Sequence, residues 1–215
     1  MIKYAIRDVT VPASKLEKEG IELIKLNIGD PNKFDFKTPG HIIDALCESA
    51  RNDDMGYTPS EGFEDLKQAI LDYERGKNGI DATTDDIIVT NGVSEGISML
   101  FGSLLEAGDN ILVPDPSYSS YDSYAKFFGA QTHKYATIED EDWICDTDNI
   151  RKLIDEKTKC LVLVNPNNPT GSMIPKSAVK EMVDICGEHD IFLISDEIYD
   201  RLTFDHEFYS PLSYA

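Results

Sequence analysis

Three short segments carry side chains whose types and spacing could do chemistry. In Ser195-Asp196-Glu197-Ile198-Tyr199, a carboxylate and then a phenol follow the apolar run at residues 191–194. A carboxylate set at the end of a buried strand is desolvated and wants a cationic partner, the alternative being an ordinary surface-loop acid. Asn165-Pro166-Asn167-Asn168-Pro169-Thr170-Gly171 follows the apolar run at residues 160–164. Proline fixes the backbone there and each amide offers a donor and an acceptor, although Asn-Pro steps also form plain turns. Thr90-Asn91-Gly92-Val93-Ser94-Glu95-Gly96 joins an apolar run to a helix start. Free N–H groups, the positive end of a helix and the Ser94 hydroxyl would suit a phosphate. A tight turn is the other reading, and the segment is neither a Walker nor a dinucleotide fingerprint.

The elements that must position these segments alternate between short β-rich runs and amphipathic stretches. Hydrophobic spacing predicts strands at residues 87–90, 110–113, 131–136, 160–164 and 191–194. It predicts helices at 93–106, 118–128, 148–156 and 176–189, the third capped by Asp148 or Asn149. Strands that are continuously apolar are buried on both faces, which implies a mostly parallel sheet between helical layers, an α/β fold of three-layer α-β-α type. In such a sheet ligands bind outside the carboxyl ends of the strands, where all three segments fall. The first stretch reads differently: a charged helix at 12–19, a strand at 22–27, a loop at 34–38, and a helix at 39–51 capped by Thr38 with proline first. Residues 1–38 are therefore expected to be an arm or part of a smaller domain, and residues 39–215 the α/β domain. Residues 202–215 show no capped element and read as a cut end.

Composition narrows the function classes. Of 215 residues, 41% are hydrophobic, which excludes disorder, and no run approaches the length of a membrane helix. Forty acidic against twenty basic residues give a net charge of −20, a field that repels nucleic acid and anionic membranes. Cys47, Cys145, Cys160 and Cys186 are scattered without metal-ligand spacing, so reduced thiols in a cytoplasmic protein are expected, and no metal site.

Taken together, the segments resemble the fold type I (class I/II) pyridoxal-phosphate aminotransferases in content, order and spacing. Asn27-Ile28-Gly29-Asp30-Pro31 with Phe36-Lys37-Thr38-Pro39 is similar to the family's substrate-side loop, and Tyr57-Thr58-Pro59-Ser60-Glu61-Gly62-Phe63-Glu64-Asp65-Leu66 to its tyrosine-to-leucine segment. Asp115-Pro116-Ser117-Tyr118-Ser119-Ser120-Tyr121 looks like the ring-stacking loop. The wording is nearest to the alanine/aspartate branch. The resemblance implies pyridoxal 5'-phosphate as cofactor, with Asp196 on the pyridine nitrogen and Tyr199 and Asn168 on the phenolic oxygen. It implies Tyr118 on the ring face and Gly92, Val93 and Ser94 on the phosphate. Gly29 and Asn168 would meet the substrate carboxylate, and Tyr57 would reach the phosphate of a neighbouring subunit in a homodimer. The Asn168–Pro169 bond is expected to be cis.

The resemblance also implies transamination between an amino acid and a 2-oxo acid, and it requires a Schiff-base lysine in a serine-rich setting. That setting is expected beyond Ala215, leaving no catalytic residue within the chain and an inactive N-terminal portion. A lyase or decarboxylase on the same scaffold, or a non-catalytic cofactor-binding remnant, are the other readings.

Overall fold

The structure, a computed structural model, describes residues 5–26, 29–33 and 36–214. Its contacts divide the chain into two units between Phe63 and Glu64.

In the first unit, helix α1 spans Ala5–Lys18 and α2 spans Gly40–Arg51. The expected cap moves by one residue. Pro39 occupies the N-cap position (φ −55°, ψ 138°), with no side-chain cap, so the helix begins after the proline and Thr38 caps nothing. Residues 21–26 form no strand; Ile24 and Leu26 are exposed and no strand among the described residues pairs with them. Asn27, the expected end of that strand, lies outside the described residues, as does Ile28.

The second unit carries α3 (Glu64–Asn78), α4 (Val93–Leu104), β1 (Asn110–Asp115), α5 (Ser120–Phe127), β2 (Gln131–Ile138) and β3 (Ile144–Cys145). It continues with α6 (Thr147–Leu153), β4 (Thr158–Val164), α7 (Lys176–His189) and β5 (Phe192–Asp196). The sheet order is β3-β2-β1-β4-β5, parallel throughout except for the short antiparallel β2–β3 pair. Alternate strand residues face opposite layers. Ile111, Val113, Cys160, Val162 and Val164 pack with Ile97 and Phe101 of α4 and Tyr121 and Ala125 of α5. Leu112, Leu161 and Leu163 pack with Ile150 of α6 and Val179, Met182 and Ile185 of α7. The expected three-layer arrangement is therefore present, with β1 and β4 buried on both faces except at Asp115 and Lys159.

Several boundaries differ. Residues 87–90 form no strand, because an apolar run needs a partner and none pairs with it among the described residues. Helix α6 starts earlier than expected: Asp146 is the cap, its carboxylate accepting from the Asn149 N–H at 2.9 Å. Near the end, Pro211–Tyr214 forms a 3₁₀ turn and Tyr214 packs on the α7 side of the core, so this stretch is a packed element.

Candidate active site

Parallel register brings the relevant strand ends level. Val164 of β4 stands opposite Asp196 of β5, so the Asn-Pro loop and the acidic turn leave the same edge of the sheet. The two exits are joined directly, the Asn165 N–H donating to the Asp196 carbonyl at 3.0 Å.

Within the Asn-Pro loop the three asparagines divide the work. Asn165 is fully buried and its Oδ1 accepts from the Ile174 N–H at 3.0 Å. Asn167 is also buried; its Nδ2 donates to the Pro116 carbonyl at 3.2 Å and to Thr170 Oγ1 at 2.8 Å, bracing the loop against the exit of β1. Gly171 closes the turn at φ 73°, its N–H donating to the Asn167 carbonyl at 2.8 Å. Asn168 is half-buried, and its amide has no hydrogen-bond partner among the described residues. The Asn168–Pro169 bond is cis, as expected, and so are Asn165–Pro166 and Asp115–Pro116.

A cleft of about 420 Å³ is lined by Asn168 and Tyr199 together, with Pro166, Asn167, Met173 and His206 among its other walls. The structure thus gathers the amide and the phenol that the sequence singled out. Asp196 lies at the strand end, half-buried. Its Oδ2 accepts from the Tyr121 hydroxyl at 2.6 Å and its Oδ1 from the Ile198 N–H at 3.2 Å. No cation pairs with it among the described residues.

Tyr121 is the residue sequence reasoning missed as a site member. It is 1% exposed, and its ring meets Tyr118 edge-on, centroids 6.2 Å apart at 85°. Burial first, and then the charge of Asp196, push its phenol far above the usual range, so it remains a donor. Glu197 belongs to the same segment as Asp196, without a role assigned from sequence. Its Oε1 accepts from Ser195 Oγ (2.9 Å) and Ser210 Oγ (2.6 Å), and Lys77 Nζ stands 3.4 Å from Oε2 and 2.7 Å from Asp200 Oδ2.

The remaining expected residues are placed as follows. Gly92 is the N-cap residue of α4 at φ 77°, ψ 173°, with Val93 and Ser94 in the first turn and no side chain capping it. No hydrogen bond ties this turn to Asp196 or Asn168 among the described residues. In the first unit Tyr57 is fully exposed, and no atom lies within 4 Å of where a Cβ on Gly29 would sit.

The donor set fits pyridoxal phosphate. A half-buried carboxylate without a cation suits a protonated ring nitrogen. An amide and a phenol share one cleft, and an uncapped helix start beside a serine suits a phosphate.

Residues 21–213 match the family described as Aminotransferase class I and II. The glutamate-pyruvate aminotransferase AlaA of Haemophilus influenzae is 38% identical over 94% of this chain and 50% of its own length. The aspartate/prephenate aminotransferase of Thermus thermophilus is 34% identical, over 94% of this chain and 52% of its own. Among solved structures, alanine aminotransferase from Pyrococcus furiosus superposes with a TM-score of 0.96 at 48% identity, covering all of this chain and 55% of that one. The chain spans about half the length of the curated relatives it matches. With the α-β-α core and the strand-end residues as described, the chain belongs to the class I and II aminotransferase family.

Proposed function

We propose that the whole protein transfers an amino group between an amino acid of alanine or aspartate type and a 2-oxo acid, using pyridoxal 5'-phosphate. Asp196 carries this reading: a strand-end carboxylate held on both oxygens by neutral donors, with no cation of its own among the described residues. When bound, the cofactor supplies a sink for negative charge developing at the substrate α-carbon. Asp196 holds a proton at the ring nitrogen, Tyr118 packs on the ring, and Asn168 and Tyr199 bond its phenolic oxygen. Gly92, Val93 and Ser94 hold the phosphate through N–H groups and a hydroxyl. Gly29 and Asn168 receive the substrate carboxylate, and Tyr57 serves a neighbouring subunit of a homodimer. Its exposure leaves it open to such a role.

Residues 1–38 act in this proposal as an arm and small-domain segment, and 39–215 as the cofactor-binding part. The protein is assigned to the cytoplasm, on the strength of four unpaired cysteines. Residues 1–215 by themselves are proposed to be inactive, because the family's chemistry needs a Schiff-base lysine and none lines the cleft of Asn168 and Tyr199 among the described residues. Lys176 lies 4.9 Å from the Tyr209 ring centroid and Lys180 pairs with Asp184. Borohydride reduction of residues 1–215 with the cofactor should therefore give no single stoichiometric lysine adduct; one such adduct with turnover would refute this part.

The function itself is tested with Asp196→Asn in the whole protein. Amino transfer should fall by about a hundredfold or more, the scale on which removal of one electrostatic stabiliser acts, while phosphate-dependent cofactor binding persists. Near-native transfer would overturn the role of Asp196, and release of carbon dioxide by the unsubstituted protein would point to a decarboxylase.

A further inference from the structure

We propose that Tyr121 is a positioning residue for the cofactor ring: its hydroxyl fixes the Asp196 carboxylate while its ring sets the plane of Tyr118. The proposal rests on the reading of Asp196 and Tyr118 as cofactor contacts.

Tyr121 is the second residue of α5 and three residues after Tyr118, which places it inside the layer beneath the site. At 2.6 Å, its bond to Asp196 Oδ2 has the length of a hydroxyl donating to a charged oxygen, a bond roughly twice as strong as a neutral one. The second oxygen is held by the Ile198 N–H, so the carboxylate is anchored from α5 and from its own turn. A carboxylate anchored at both oxygens keeps its plane, which gives directionality to a further hydrogen bond. The same Tyr121 ring stands edge-on to Tyr118 and lies 6.4 Å from Phe101 of α4, the helix that opens with Gly92, Val93 and Ser94. One buried side chain therefore touches the partner assigned to the ring nitrogen, the ring assigned to stack on the cofactor, and the helix assigned to its phosphate. Because burial and the neighbouring carboxylate keep the phenol protonated, its donor role does not switch across the working pH range.

A residue that only filled the core would leave recognition of the ring nitrogen unchanged when its hydroxyl is removed. The test compares equilibrium binding of pyridoxal 5'-phosphate with that of its 1-deaza analogue, in which carbon replaces the ring nitrogen. Binding is followed by absorbance titration of the whole protein. The unsubstituted protein should prefer the natural cofactor, and Tyr121→Phe, which keeps the ring, should shrink that preference by about tenfold. Replacement of Tyr121 by 3-fluorotyrosine supplies a stronger donor and should raise the preference. An undiminished preference in folded Tyr121→Phe overturns the proposal. If Tyr121→Phe does not fold, the fluorotyrosine protein decides: a preference above that of the unsubstituted protein supports the proposal and an equal one overturns it. If the unsubstituted protein binds both ligands equally, the reading of Asp196 falls and the proposal falls with it.

Discussion

At the scale of single residues, the site is built from groups left incompletely satisfied by their own chain. Asn165 Oδ1 and Asn167 Nδ2 are spent on holding the loop, their other amide atoms lying buried without a partner among the described residues, whereas Asn168 between its prolines has its whole amide open on the cleft. Asn168, Asp196 and Tyr199 were legible in the sequence because each follows an apolar strand, so placement at the sheet edge is a local property. Tyr121 was not, since its hydrogen bond to Asp196 spans 75 residues and tyrosine after tyrosine on a helix reads as core. Gly92 gives a prediction at this scale. Its φ of 77° with ψ of 173° is a region nearly closed to other residues, yet no atom lies within 4 Å of a Cβ built there. Gly92→Ala therefore meets no clash and suffers from backbone conformation alone, a cost of about 1–3 kcal/mol. Denaturant unfolding should show that loss, and cofactor affinity should fall with it as the first turn of α4 tilts. A variant as stable as the parent would show that the turn relaxes freely.

Among elements, helix α7 and the strands β1 and β4 were readable because their patterns are satisfied within a few neighbours. Spacing predicts strands at 87–90 and 22–27, but residues 87–90 and 22–26 form none, because a strand exists only through a partner that periodicity does not name. The end of α3 shows the same limit for charge. Lys77 looks in sequence like part of a solvated acidic and basic face, but its side chain is only 20% exposed. It bonds Asp200, approaches Glu197 and lies 4.6 Å from the Phe208 ring centroid, tying α3 to the turn that carries Tyr199. Burial opposes charge on both Lys77 and Asp200, but their hydrogen bond and mutual attraction outweigh it, raising the lysine and lowering the carboxyl. The Asp200 contribution is thus present above its unfolded value of about 3.9 and lost as pH falls through the lower folded one. That of Lys77 is present below about 10.4 and lost as pH rises through the higher folded value. Lys77→Met should destabilise by about 1–3 kcal/mol, between the ranges for exposed and buried pairs, because two carboxylates lose their cation. Melting curves of parent and variant should differ most from about pH 5 to 9 and converge toward both extremes. A difference independent of pH would assign the effect to packing on Phe208 and Tyr73.

For the molecule as a whole, two opposing surface properties meet. The net charge of −20 favours separation of copies, while large apolar side chains stand in water in both units. In the first, α2 buries no residue, and Ile42, Ile43 and Leu46 are exposed along it. In the second, β5 ends the sheet with its far edge unpaired among the described residues and Phe192 61% exposed, and Phe204 is 94% exposed. An open strand edge and apolar patches are both association surfaces. The sequence showed the charge fully, since charge sums without knowledge of the fold. It did not locate the apolar exposure, because Ile42 and Phe192 have the same periodicity whether or not something covers them. The two properties depend differently on salt. Repulsion between like-charged copies is screened as the Debye length shrinks from about 10 Å at 0.1 M to about 3 Å at 1 M, whereas apolar burial is not weakened. Residues 1–215 should therefore sediment as larger species in about 1 M than in about 0.1 M sodium chloride, with a concentration-dependent distribution. Association held by ion pairs between copies would respond in the opposite direction, dissociating as salt is added. A monomer at both concentrations would show that the exposed apolar faces are too dispersed to bind one another.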